Sequence, residues 1–82
     1  MKTIDVLFFA TLRDHMDAKK ISLELPLDAG VAQLKAELVA LKPNAAVAVE
    51  IALVSINRDF AFENEFIPAG AEVALFPHVS GG

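Results

Sequence analysis

Only one stretch of this 82-residue chain has the spacing of a long helix, and that limits its fold more than any other feature. Within residues 31–42, Val31, Leu34, Leu38 and Leu41 recur at intervals of three, four and three, which places them on one stripe of an α-helix. Lys35, Glu37 and Lys42 fall off that stripe, toward solvent. Asp28 or Gly30 caps the start, and Pro43, which disfavours helical angles in the residue before it, ends it. One helix covers one face of one small sheet. The strands supplied by the rest of the chain must therefore build an α+β domain.

Residues 3–9, TIDVLFF, are β-branched and aromatic, with Ile4, Val6 and Phe8 in one row and Leu7 and Phe9 in the other. Such a strand is central, buried on both faces or buried on one and adhesive on the other. Residues 10–16 lose the β-branched bias and read as a short helical turn. In residues 20–25, Ile21, Leu23 and Leu25 alternate with Ser22 and Glu24, a strand with one wet face. Residues 44–50, rich in Ala and Val, suit an extra helical turn. Residues 51–56 read as a third strand, and Asn57-Arg58-Asp59 turns it into a short fourth around Phe60–Phe62. Glu63 and Glu65 read as a solvated loop. Pro68-Ala69-Gly70 puts proline second and glycine fourth in a type I turn, and residues 72–77 form the last strand. The expectation is a mixed sheet of about five strands packed on one main helix, its two most apolar strands, the first and the last, side by side at the centre. The domain spans 1–76 and a flexible tail spans 77–82.

A domain of this size buries only about 60–65% of the surface its unfolded chain exposes, and without cysteine it has neither a disulfide nor a thiolate metal site. Its composition compensates at 55% hydrophobic, more than a small domain readily hides, so part of that surface is expected to belong to a partner. Met1-Lys2-Thr3 runs straight into a strand-like segment, with no signal peptide or membrane span, which points to a cytoplasmic protein. The net charge of −4 is uneven: residues 1–42 hold six basic and six acidic side chains, whereas residues 43–82 hold Arg58 against five carboxylates. Phosphate backbones and anionic lipid would repel that half, so neither nucleic acid nor membrane is expected as a partner, and a basic protein surface suits it better.

Side-chain chemistry is sparse. Nucleophilic catalysis would need Ser22, Ser55 or Ser80 beside a rigid histidine base, and His78 and Ser80 stand near a terminus. His15 and His78 lack companions at metal-ligand spacing, so no metal is expected. Gly30 and Gly70 stand alone and form no phosphate loop. What remains is Pro77-His78-Val79-Ser80-Gly81-Gly82. Five residues beyond Pro77, fully extended, reach about 17 Å. Two glycines thread a channel too narrow for side chains, and the α-carboxyl beyond them is ionised at neutral pH and inert until another enzyme activates it. That is the architecture of a carrier.

The segment VLFFATLRD, Val6 to Asp14, and the ending FPHVSGG, Phe76 to Gly82, together resemble the small subunit of molybdopterin synthase. The resemblance runs the length of the chain and includes Asn57 in the turn after the third strand. Ubiquitin-like modifiers and the thiamine-pathway sulfur carrier also end in Gly-Gly, but the thiamine carrier is shorter and lacks the FFA-x-LR segment. One departure is His78, where the family usually has a second proline. The resemblance implies a ubiquitin-like β-grasp, an arrangement whose strand order by itself also suits other small α+β folds.

It further implies that an E1-like adenylyltransferase, using ATP-Mg, adenylylates the Gly82 carboxylate and that sulfur then replaces AMP. The resulting thiocarboxylate donates sulfur to cyclic pyranopterin monophosphate in molybdenum cofactor biosynthesis. The domain itself binds no cofactor. By the same resemblance, its expected partner is the molybdopterin synthase large subunit, in a heterotetramer in which that subunit holds the catalytic groups. Gly81 serves passage of the tail. Alternatives are a sulfur carrier for thiamine or tRNA thiolation, and a ubiquitin-like protein modifier. Phe9 and Phe76 lie out of step with the inward rows and should point away from the helix. Phe60 either joins them or packs a small second core under a loop. Three fully exposed Phe rings would contribute about 5–9 kcal/mol gross on docking. Arg13, which the resemblance makes partner-facing, and the tail residues Pro77, Val79 and Ser80 complete the expected contact set.

Overall fold

Alternation along the first strand decides what the sheet packs on. Lys2, Ile4, Val6 and Phe8 all point inward and are buried, while Leu7 is half-buried and Phe9 partly exposed on the other side, so this strand is covered on one face and adhesive on the other. The computed structural model describes residues 1–78. The chain runs through β1 (Lys2–Phe8), α1 (Thr11–Met16), β2 (Lys20–Leu25), α2 (Val31–Leu41), a 3₁₀ turn (Pro43–Ala45), α3 (Ala46–Glu50), β3 (Leu53–Ile56), β4 (Asp59–Ala61) and β5 (Glu72–Phe76). The sheet order is β2-β1-β5-β3-β4. The central β1–β5 pair is parallel and its neighbours are antiparallel. The inward row of β1 joins Val73 and Leu75 of β5, Val54 of β3 and Val31, Leu34 and Leu38 of α2 in one core, closed at its ends by Leu12, Met16, Val49 and Ile67. Among the described residues, no helix is long and apolar enough to cross a membrane.

Several local expectations are corrected. Lys35 is buried and Leu41 is 56% exposed, the reverse of the expected stripe. The inward face of α2 is 31, 34, 35 and 38, a stripe of its own at helical spacing. Lys35 Nζ donates at 3.0 Å to the carbonyl oxygens of both Glu50 and Ala52, and to the Glu63 carboxylate. The first two are acceptors left over where α3 ends. After Lys42 the 3₁₀ turn brings Ala45 into the core, and Leu41 is left outside. Helical bonding from Ile51 N to Val47 O and from Ala52 N to Val49 O delays the third strand to Leu53.

Neither Asp28 nor Gly30 caps α2 with a side chain, although Gly30 occupies the N-cap position. The free N–H groups of Val31 and Ala32 donate instead to the carbonyl oxygens of Glu65 and Glu63, at 2.9 and 3.2 Å. A Cβ on Gly30 would lie 2.3 Å from that Glu65 oxygen, so the approach needs glycine. The segment read as a solvated loop is thus the cap of the main helix. The turn before β5 is also shifted by one residue. Ala71 N bonds to Pro68 O, which makes Gly70 the third residue, and its φ of 76° is the mark of type II. Lys2, the second buried ammonium, donates to the carbonyl oxygens of Leu27, Ala29 and Ile67 and sits 4.1 Å from the centroid of the Phe66 ring. It ties the start of β1 to the loops before α2 and β5.

Candidate functional site

On the sheet face opposite α2, strand register builds a shallow depression. Leu7 of β1 pairs with Ala74 of β5, Ala74 with Ser55 of β3, and Ser55 with Phe60 of β4, so these four residues form one row across the sheet. The middle two are small and the outer two large, which leaves a concave floor. Above the row stand Phe76, paired with Leu53, and Phe9, whose N–H donates to Leu75 O at 3.1 Å. The Phe9 and Phe76 rings stack with centroids 4.7 Å apart and an angle of 9°, and Phe60 meets Phe76 at 6.0 Å and 59°. Both geometries are favourable aromatic pairs. Phe60 is 70% exposed, so it belongs to this face and not to a second core under a loop. The depression has a volume of about 390 Å³, with Arg58 and Glu72 also lining it.

Two strained corners hold the ends of the face. Ala10, with φ 52° and ψ −131°, turns the chain from Phe9 into α1 in a region that suits glycine better than alanine. Asn57 anchors the β3–β4 turn to β5: its N–H donates to Glu72 O at 2.8 Å and its Oδ1 accepts from Glu72 N at 3.0 Å. Arg13 is exposed on α1 and lines a second groove with Lys19, Leu7 and Phe9, beside the aromatic face. Pro77 is half-buried and follows Phe76 directly, but it lines a separate cavity with Thr11, Leu12, His15 and His78. Val79, Ser80, Gly81 and Gly82 lie outside the described residues.

The structure therefore gathers Phe9, Phe60 and Phe76, with Arg13 alongside, and leaves Pro77, though next to Phe76 in sequence, in the other cavity. It brings no histidine base to the described serines: Ser22 Oγ donates to Asp5 Oδ1 at 3.0 Å, and Ser55 lies in the floor of the depression, whereas His15 and His78 line a different cavity. Among the described residues, no group of three or more His, Asp and Glu side chains is placed to hold a metal ion. Among the described residues, the arrangement is an exposed apolar depression walled by aromatic rings. Sequence reasoning missed Leu7, Ser55 and Ala74 as parts of the face, though the alternation of their strands marks them as outward. Arg58 had no such signal, because a turn residue belongs to neither row.

The model of the ThiS family matches residues 6–82. No curated protein matches the chain. Among solved structures, the chain is similar to SAMP1 from Haloferax volcanii, with 27% identity, 98% of this chain and 99% of that one covered, and a TM-score of 0.81. It is also similar to a candidate molybdopterin converting factor, subunit 1, from Pyrococcus furiosus, with 22% identity, 96% and 100% covered, and a TM-score of 0.86. A third similar structure comes from the complex of subunits 1 and 2 of molybdopterin-converting factor from Helicobacter pylori, with 18% identity, 98% and 99% covered, and a TM-score of 0.66. The fold is the ubiquitin-like β-grasp.

Proposed function

The chain belongs to the ThiS family, and from there we propose that it is a sulfur carrier, the small subunit of molybdopterin synthase, whose working group is the carboxyl of Gly82. The observation that carries this reading is the aromatic face at the exit of the C-terminal segment: Phe9, Phe60 and Phe76 form a surface for a partner, and the chain continues past Phe76 toward two glycines. A partner seated on that face would receive the tail, which fully extended reaches about 17 Å beyond Pro77. The similar complex of two molybdopterin-converting factor subunits supports a large subunit as that partner.

The chemistry follows from the terminus. A carboxylate is a poor electrophile; its oxygen attacks the α-phosphate of ATP-Mg on an E1-like enzyme, pyrophosphate leaves, and the acyl adenylate now carries AMP as a good leaving group. A sulfur nucleophile displaces AMP to give the thiocarboxylate. The tail then places that sulfur against cyclic pyranopterin monophosphate, held by the large subunit, within the ~3–3.5 Å that reaction requires. Gly81 and Gly82 pass where a side chain would block. With no cysteine anywhere in the sequence, the chain has no thiol side chain to carry sulfur.

A second reading, a protein modifier that forms isopeptide bonds with lysines, is favoured by the likeness to SAMP1. Both readings begin with adenylylation and separate at the acceptor. The test uses the protein ending at Gly82 with ATP, the activating enzyme and a sulfur donor, followed by intact mass. Sulfur should replace one oxygen on the terminal glycine, and the product should support molybdopterin synthesis with the large subunit. Proteins lacking Gly82, or extended by one residue, should fold normally and fail both steps. Sulfur acceptance by either variant, or transfer to protein lysines in place of the pterin, overturns the proposal.

A further inference from the structure

The β3–β4 hairpin has only Asn57 and Arg58 between the paired residues Ile56 and Asp59, and both have positive φ, 49° and 76°. These are the marks of a type I′ turn, whose twist suits the strands and whose second central place favours glycine. Asparagine enters the left-handed region readily, but for arginine the Cβ makes it strained. Nothing among the described residues uses the guanidinium in return. Among the described residues, Arg58 has no ion pair, no side-chain hydrogen bond and no aromatic ring beneath it.

What the turn does is carry a cation at the border of the aromatic depression, on a backbone that Asn57 fixes to Glu72 through two hydrogen bonds. Arg58 is the only basic residue among residues 43–82. Arg13 and Lys19 line the adjoining groove, across Leu7 and Phe9 from Arg58. The division of charge by sequence halves pointed to a basic partner. Folding shifts that balance for this face: the charged residues lining the two depressions are three cations from both halves, Arg58, Arg13 and Lys19, and one carboxylate, Glu72, on a chain of net charge −4.

We propose that Arg58 is a specificity-determining residue of the docking face, and that it recognises a carboxylate bordering the apolar contact surface of the large synthase subunit. This rests on the docking role argued above. An exposed cation at the border of an apolar contact acts mainly on encounter: it steers the matching partner in and disfavours one with a basic border.

The experiment measures association of the protein with the large subunit from the same source, by stopped flow over a range of salt concentrations, together with urea unfolding. Arg58→Gly relieves the backbone, so it should unfold at higher urea than wild type, yet associate about five- to tenfold more slowly at low salt, with a flatter salt dependence. Arg58→Lys keeps the charge and should retain most of the rate. Phe60→Ala should weaken the complex through faster dissociation. If Phe60→Ala weakens binding while Arg58→Gly associates like wild type, the face stands and the role of Arg58 is refuted. If both associate and dissociate like wild type, the docking reading itself is wrong and takes this inference with it. Arg58→Lys as slow as Arg58→Gly, or no gain in urea resistance for Arg58→Gly, also overturns the proposal.

Discussion

Truncating Phe60 should harm docking more than truncating Phe76, although Phe76 lies at the centre of the cluster. A Phe side chain taken fully out of water contributes about 1.5–3 kcal/mol. Scaled by its 70% exposure, Phe60 has about 1–2 kcal/mol still to gain from a partner. Phe9, at 37% exposure, has about 0.5–1 kcal/mol, and the half-buried Phe76 has less than about 1 kcal/mol. The cluster as a whole then offers about 2–4 kcal/mol gross, well short of the figure for three free rings, because stacking has already spent part of their surface inside the monomer. Against an association cost of at least about 4 kcal/mol, the aromatic face must be joined by the rest of the depression and by the inserted tail. Phe60→Ala should raise the Kd for the large subunit about 5- to 30-fold and, losing only the tilted pair, destabilise the monomer by about 0.5–1.5 kcal/mol. Phe76→Ala removes a stacked and a tilted partner, each pair contributing about 0.5–1.5 kcal/mol beyond burial, so it should destabilise the monomer by about 2–3 kcal/mol. Calorimetric titration and urea unfolding on both variants decide the matter. Wild-type affinity for Phe60→Ala, or a Phe76→Ala monomer of unchanged stability, would refute the reasoning.

Lys35→Met should lose about 2–4 kcal/mol in urea unfolding at unchanged slope, because the Glu50 and Ala52 carbonyl oxygens lose their donor at about 1–3 kcal/mol per buried acceptor. Glu63→Gln, whose side chain is mostly exposed, should cost under about 1 kcal/mol, and equal losses from the two variants would contradict this division. Gly30→Ala forces a methyl against the Glu65 carbonyl that caps α2 and should cost about 1–3 kcal/mol, visible as a lowered Tm; an unchanged Tm would mean that the 63–66 segment yields freely. Arg13→Glu should slow adenylylation of Gly82 and flatten its salt dependence if Arg13 meets an acidic group of the activating enzyme, an assignment that a wild-type rate would exclude.

The chain's fold class was legible without a structure. Period-two rows in residues 3–9 and 72–77 marked the central strands and a helical stripe marked α2, since each depends on residues close together in sequence. Phe9 and Phe76 were legible as outward-facing for the same reason. Periodicity, however, reports only the direction of a side chain around its own segment. That Phe60 completes the cluster depends on the register of β4 against β3 and of β3 against β5, set by a two-residue turn that strand patterns do not encode. The capping of α2 by the backbone of Glu63 and Glu65 joins segments more than thirty residues apart, and no side chain signals it. The burial of Lys2 and Lys35 ran against their chemistry. An ammonium leaves water only where acceptors converge on it, and those acceptors come from loops that are distant in sequence and meet only in the folded chain.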